Sequence, residues 1–171
     1  MKVGLLGPQG SGKTTLAYEV ATKLKKDKHD VYVLSEVARS CPLPINQNTT
    51  RETQLWIIGK QITREQSAKG KTFISDRTVL DPYCYGLRID YDFFSKLRSF
   101  VEEYMKTYDL IFYVEPNDEY LIDDGTRSTN KDFRNEFNKI IKTELSIMDI
   151  NYQIIKSTDV DDVLMYFNGC D

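Results

Sequence analysis

Eight residues, Gly7-Pro8-Gln9-Gly10-Ser11-Gly12-Lys13-Thr14, fit the pattern GxxxxGK[ST] between an apolar run and a helical stripe. Glycines let the backbone turn so that several N–H groups point inward, and a helix N-terminus adds partial positive charge where an anion rests. Lys13 is expected to reach the β- and γ-phosphates of a nucleoside triphosphate, and the Thr14 hydroxyl to ligate Mg²⁺. Gly7, Gln9, Gly10, Ser11, Gly12 and Thr15 complete the expected contacts, with ATP and Mg²⁺ as the implied ligands. A turn that only joined a strand to a helix would not need lysine and threonine at these offsets.

Where the phosphate goes depends on acids and guanidiniums elsewhere. Asp76 and Arg77 adjoin at the end of TFISD, an apolar run whose carboxyl end should face the ligand crevice of an open α/β sheet. The acid suits Mg²⁺ or its water, and the arginine an incoming anionic group. Glu36, closing VYVLSE, belongs to the same crevice on the acceptor side. It could accept a hydroxyl proton or bind a ribose hydroxyl. Arg39 with Arg77 could clamp a substrate phosphate, which weighs toward a monophosphate over an uncharged nucleoside. The polar segment 117–134 reads as a lid that brings a cation to the transferring group, Arg127 first, Arg134 second, with Lys131 as a solvated neighbour.

These residues need elements to hold them. KVGLL (2–6) reads as a buried strand, and Leu16, Val20 and Leu24 as the stripe of the following helix. VYVLSE (31–36) is a second strand, and SCPLPINQN a loop, since two prolines forbid helix. From Thr50 to Lys69, Leu55, Ile58 and Ile62 mark one helical face, with Gln54, Gln61, Arg64 and Glu65 around the rest. KTFISD (71–76) is the third strand, followed by a turn-rich piece containing Asp81-Pro82 and Gly86, then a helix over 91–106. DLIFYVE (109–115) is the fourth. Thr129 and Asp132 form a capping pattern ahead of a long amphipathic helix bearing Phe133, Phe137, Ile141 and Leu145. YQIIK (152–156) and a helix through Val163 and Phe167 close the chain. Five apolar strands alternating with helices imply an α/β fold with a mainly parallel sheet covered on both faces.

At 171 residues the chain is the size of one domain. No apolar run approaches the roughly 20 residues that span a bilayer, and MKVGLLGPQG leaves no room for a cleavable signal, so neither membrane nor export is expected. Cys41, Cys84 and Cys170 lack the spacing of a disulfide framework or zinc site, which fits a reducing, cytoplasmic setting. His29 lies in a charged turn and receives no role. A net charge of −3 argues against a general grip on nucleic acid and toward a small-molecule partner.

GPQGSGKTT, SEVAR, SDRTVLDPYCY and DDGTR, in that order over nearly the whole chain, resemble the nucleoside and nucleotide kinase branch of P-loop proteins. Compact nicotinamide riboside kinase-like domains stand nearest, with thymidylate-kinase-like enzymes next. The resemblance implies one P-loop kinase domain over 1–171 in three α-β-α layers, five strands ordered 2-3-1-4-5, and a lid near 117–134. It implies Asp76 and Glu36 serving metal and acceptor hydroxyl, Arg127 in the lid, Asp81, Tyr83 and Tyr85 lining the acceptor pocket, and Lys156 to Asp159 beside adenine. A homodimer is compatible with it. The expected reaction is ATP·Mg²⁺-dependent phosphoryl transfer to a nucleoside or its monophosphate, modified or deoxy forms included. Two rivals remain open. An NTP-hydrolysing switch is disfavoured because one short domain lacks room for a partner-facing module and no guanine-reading tetrapeptide is found; Thr143-Glu144 and Asn130-Lys131-Asp132 are the closest approaches. A polynucleotide or modified-base kinase would have to rely on the short basic run Lys23, Lys25, Lys26 and Lys28, which also reads as a solvated helix end.

Overall fold

The computed structural model describes residues 1–118 and 131–168. Its strands are β1 (Lys2–Leu6), β2 (Val31–Leu34), β3 (Thr72–Asp76), β4 (Leu110–Val114) and β5 (Gln153–Ile155), all parallel, in the order β2-β3-β1-β4-β5. The helices are α1 (Lys13–Lys26), α2 (Arg51–Ser67), α3 (Leu80–Ile89), α4 (Tyr91–Phe94), α5 (Arg98–Met105), α6 (Lys131–Ile147) and α7 (Val160–Asn168). This is the strand order and layering implied by the resemblance. Pairing Leu5 with Asp76 and Leu6 with Tyr113 brings the carboxyl ends of β1, β3 and β4 together, so the segments leaving them must meet.

Two apolar clusters hold helices to the sheet. On one face Leu16, Val20 and Leu24 of α1 and Val163 and Phe167 of α7 cover Val3, Leu5 and Phe112. On the other, Tyr83, Met105, Phe137 and Ile141 of α3, α5 and α6 pack with Leu6 and Tyr113. No helix among the described residues is long and apolar enough to cross a membrane.

The structure departs from the sequence reading in three places. Residues 80–89 form a helix, not a turn-rich piece. Pro82 falls in its first turn, where a missing N–H costs no hydrogen bond. Gly86 is required because a Cβ there would lie 2.2 Å from the Phe94 ring, so the glycine admits α4 against α3. The helix expected over 91–106 is broken into α4, a 3₁₀ turn at Ser95–Leu97 and α5. Helix α2, capped by a reciprocal Thr50–Thr53 pair, buries Gln54, Gln61 and Glu65 along with Ile57 and Ile58, while Leu55 is 38% exposed. The cap expected at Thr129 lies outside the described residues.

Candidate active site

The segment from Gly7 to Gly12 leaves β1 and enters α1. Gly7 has φ +139°, and a Cβ on it would sit 2.5 Å from the Val114 carbonyl oxygen, so no side chain fits there. Helix α1 starts without a side-chain cap and without an acid in its first turn, which leaves its N-terminal amides for an anion. Lys13 Nζ donates to Gly7 O (2.9 Å), Pro8 O (2.7 Å) and Ser11 Oγ (2.9 Å), so the ammonium spans the loop. Burial, with Arg77 adding, lowers its pKa to about 7 against the opposing pull of Asp76, Asp81 and Glu36.

Asp76 ends β3 at 2% exposure, and its Oδ2 accepts from Thr14 Oγ1 at 2.6 Å. A hydroxyl and a carboxylate adjoining at the mouth of a phosphate loop suit Mg²⁺, which takes oxygen ligands and is commonly held by one or two carboxylates plus substrate phosphates. Among the described residues no group of three or more His, Cys, Asp or Glu could hold a metal ion. Burial raises the Asp76 pKa, with Glu36 contributing, while Lys13, Thr14 and Arg77 oppose the shift.

Arg77, at φ +84°, turns from the strand end toward Glu36 and Asp81. Its Nε donates to Glu36 Oε1 (2.6 Å) and its Nη1 to Asp81 Oδ1 (3.0 Å). Arg39 Nε donates to the other Glu36 oxygen at 3.2 Å, so the Glu36 carboxylate lies between two guanidiniums. Asp81 Oδ2 accepts from Thr78 N (2.8 Å), which fixes the start of α3. Tyr85 OH donates to Gln9 Oε1 at 3.3 Å, and its ring stacks on Phe137 with centroids 3.9 Å apart.

Gln9, Glu36, Arg39, Arg77, Asp81 and Tyr85 thus line one cavity beside the phosphate loop. Tyr83 does not. It is fully buried, its hydroxyl donates to Glu144 Oε2 (3.2 Å), and in a helix it faces away from Tyr85. The expectation that it lines the acceptor pocket is corrected accordingly. Gln54 and Ile57 of α2, and Ile45 from the preceding loop, line the cavity without having been singled out in the sequence. Two buried carboxamide atoms there have no hydrogen-bond partner among the described residues, the donor Gln9 Nε2 and the acceptor Gln54 Oε1. Gln54 is held through its Nε2, which donates to Thr49 Oγ1.

Arg127 lies outside the described residues. Arg134, 5% exposed, donates through Nη2 to Asp118, while its Nε and Nη1 have no partner among the described residues. Lys131 Nζ donates to the same carboxylate at 2.8 Å; these two contacts, Lys131's the stronger, push the Asp118 pKa down to about 2. The Asn117 amide donates to Gly10 O at 3.3 Å, which ties this corner to the phosphate loop. Thr15 is exposed and shares a shallow groove with Tyr18 and Val160. The Lys156–Asp159 turn precedes Val160, and its Lys156 N donates to Asp159 Oδ2 at 2.7 Å.

The family model described as AAA domain matches residues 2–162. No curated protein matches the chain. Among solved structures, deoxyadenosine kinase from M. mycoides with bound dCTP superposes with a TM-score of 0.72 at 16% identity, covering 99% of this chain and 100% of that one. The same enzyme with products dCMP and dCDP gives 0.69 at 16% over 99% and 100%, and with dATP 0.61 at 16% over 98% and 100%. At such identity the likeness concerns the fold, whereas the family match spans the phosphate loop and every strand. On these grounds the chain belongs to the AAA-domain family, as a P-loop protein with the sheet order and layering of the P-loop kinases.

Proposed function

We propose that this protein is a nucleoside kinase, transferring the γ-phosphoryl group of ATP to a hydroxyl of a nucleoside whose base carries an amino group. The carrying observation is the direct adjacency of a phosphate loop, with its Thr14–Asp76 pair, to a cavity holding Glu36 between Arg39 and Arg77. The loop amides and Lys13 would grip the triphosphate. Thr14 and Asp76 would hold Mg²⁺, which supplies charge neutralisation on the phosphate oxygens. Glu36 would take the acceptor's hydroxyl proton, with Arg77 and Arg39 fixing the carboxylate for that transfer. Asp76, already bonded to Thr14, suits the metal, which leaves Glu36 as the base. Arg134, with two guanidinium nitrogens unpartnered among the described residues, is the described residue best suited to meet developing phosphoryl charge, and Arg127 is proposed for the same role.

The sequence leaned toward a monophosphate because two arginines face the pocket. Their placement favours an uncharged acceptor. Glu36 and Asp81 balance Arg39 and Arg77, so the cavity offers a monophosphate no surplus of positive charge. Gln9 Nε2 and Gln54 Oε1 together present one donor and one acceptor, the complement of a base edge bearing a ring nitrogen and an amino group, as in adenine or cytosine. The M. mycoides enzyme was solved with dATP and with dCTP, which accords with that choice.

Incubating the protein with ATP·Mg²⁺ and a panel of nucleosides, monophosphates and oligonucleotides, with product masses read out, tests the reading. Monophosphates formed from adenine or cytosine nucleosides are expected. Product from oligonucleotides alone, or ATP hydrolysis indifferent to every acceptor, would contradict it.

A further inference from the structure

Beneath the turn that joins Asp76 to Arg77 lies a buried polar chain that reaches the cavity only through the Arg77 backbone carbonyl. Gln61 of α2 is 3% exposed, and its Nε2 lies 2.7 Å from Glu65 Oε1, 2.7 Å from Ser75 Oγ and 3.3 Å from the Arg77 carbonyl oxygen. Glu65, 2% exposed, also accepts from Tyr104 OH (2.9 Å) and Tyr108 OH, and pairs with Lys2 Nζ at 2.7 Å. The Lys2 ammonium stands 4.1 and 3.8 Å from the two tyrosine ring centroids. The Glu65 carboxylate is therefore fixed from α5, from β1 and from the segment between α5 and β4.

Such a chain is weak evidence for stability, because apolar side chains of similar volume often serve a core as well or better. Its end point is more informative. Arg77 is not a glycine yet holds φ +84°, a conformation that persists only where the surroundings over-determine it. Its N–H donates to Leu5 O at 3.0 Å, which ties the turn to β1, and Gln61 Nε2, whose two hydrogens are shared among three acceptors, reaches the carbonyl from α2 at 3.3 Å. With both ends of the residue held, its guanidinium reaches Glu36 and Asp81, while Asp76, one residue earlier, keeps its bond to Thr14.

We propose that Gln61 is a positioning residue for phosphoryl transfer: its carboxamide, oriented by Glu65, locks the Arg77 turn so that Arg77 meets Glu36. The proposal rests on the nucleoside kinase reading for its kinetic consequence and on geometry alone for its structural one. Gln61→Met keeps the length and removes the donor. It should leave KM for ATP near wild type and lower kcat by roughly 10- to 100-fold, the scale of a small misplacement of a catalytic group. Because Gln61 acts through Arg77 and Glu36, Gln61→Met/Glu36→Gln should be little slower than Glu36→Gln alone, whereas a general loss of packing would multiply the two effects.

A crystal structure of Gln61→Met and the NMR signal of the Arg77 Nε–H supply a readout independent of turnover. Arg77 is expected to leave the positive-φ region and its Nε–H to exchange faster with solvent. If the wild-type protein phosphorylates no nucleoside, the kinase reading fails while this geometric readout still decides the role of Gln61. Should Gln61→Met not fold, Glu65→Gln, which keeps an acceptor but loses the charge, is expected to show the same changes to a smaller degree. Multiplying kinetic effects, or an Arg77–Glu36 bond undisturbed in the variant that folds, would overturn the proposal.

Discussion

Glu36→Gln separates catalysis from binding more cleanly than any other single change at this site. The substitution keeps the side chain's shape and one oxygen acceptor, and it removes the charge that lies between Arg77 and Arg39. Glu36 and Arg77 side chains are only 10% and 11% exposed, so solvent screens their attraction weakly. Replacing a charge-assisted bond by a neutral one at such a site should cost about 1–2 kcal/mol, with the Arg77–Asp81 bond limiting the damage. For a domain of this size that lowers Tm by roughly 3–6 °C. Loss of the proposed general base should lower kcat by about 100- to 10,000-fold. The phosphate loop is untouched, so ATP affinity should hold. Stopped-time product formation with saturating nucleoside, calorimetric titration with a nonhydrolysable ATP analogue, and thermal melting read the three quantities separately. A kcat within about threefold of wild type, far less than removal of a general base produces, would refute the role given to Glu36.

Three further outcomes are expected. Lys13→Ala should lower transfer by about a thousandfold, since it removes a main stabiliser of developing charge, and product formation under saturating ATP·Mg²⁺ checks it. Gln54→Leu should raise KM for an adenine or cytosine nucleoside by roughly 10- to 100-fold while changing Tm little, because loss of the unpartnered buried Oε1 offsets loss of the bond from Nε2 to Thr49; paired kinetics and melting curves decide. Asp118, whose folded pKa is depressed to about 2, contributes ion pairing that is complete above the ordinary aspartate range and is lost as pH falls through about 2. The Asp118 carboxyl carbon shift, followed by NMR from pH 5 downward, should therefore titrate low, and in an Arg134→Met variant closer to the ordinary value.

What the sequence made legible follows from how chemistry is encoded. A phosphate loop demands fixed residue types at fixed offsets, so Gly7 through Thr14 could be read directly, and strand ends then pointed to Glu36 and Asp76. Gln54 was passed over because amphipathic patterning treats glutamine as solvent-facing. The partners that make a buried Gln54, Gln61 or Glu65 tolerable come from other segments, such as Thr49, Ser75 and Tyr104, and no local pattern announces them. Leu55 is the converse, an apolar residue taken for the buried stripe that turns outward. Helix α3 was obscured by Pro82 and Gly86, which look like breakers until the proline is placed in the first turn and the glycine against Phe94. Tyr83 went with it, since the faces of 83 and 85 can be told apart only once the segment is known to be helical. Strand alternation gave the parallel sheet, but the order 2-3-1-4-5 came through family likeness, because periodicity does not state which strands pair.

The most direct test of the account is a crystal structure with Mg²⁺, a nonhydrolysable ATP analogue and deoxyadenosine or deoxycytidine bound together. The account predicts the triphosphate wrapped by residues 7–14, the cation between Thr14 and Asp76, and a sugar hydroxyl within hydrogen-bond reach of Glu36 with the base edge against Gln9 and Gln54. A nucleoside lodged elsewhere, or a triphosphate that bypasses the loop, would contradict it.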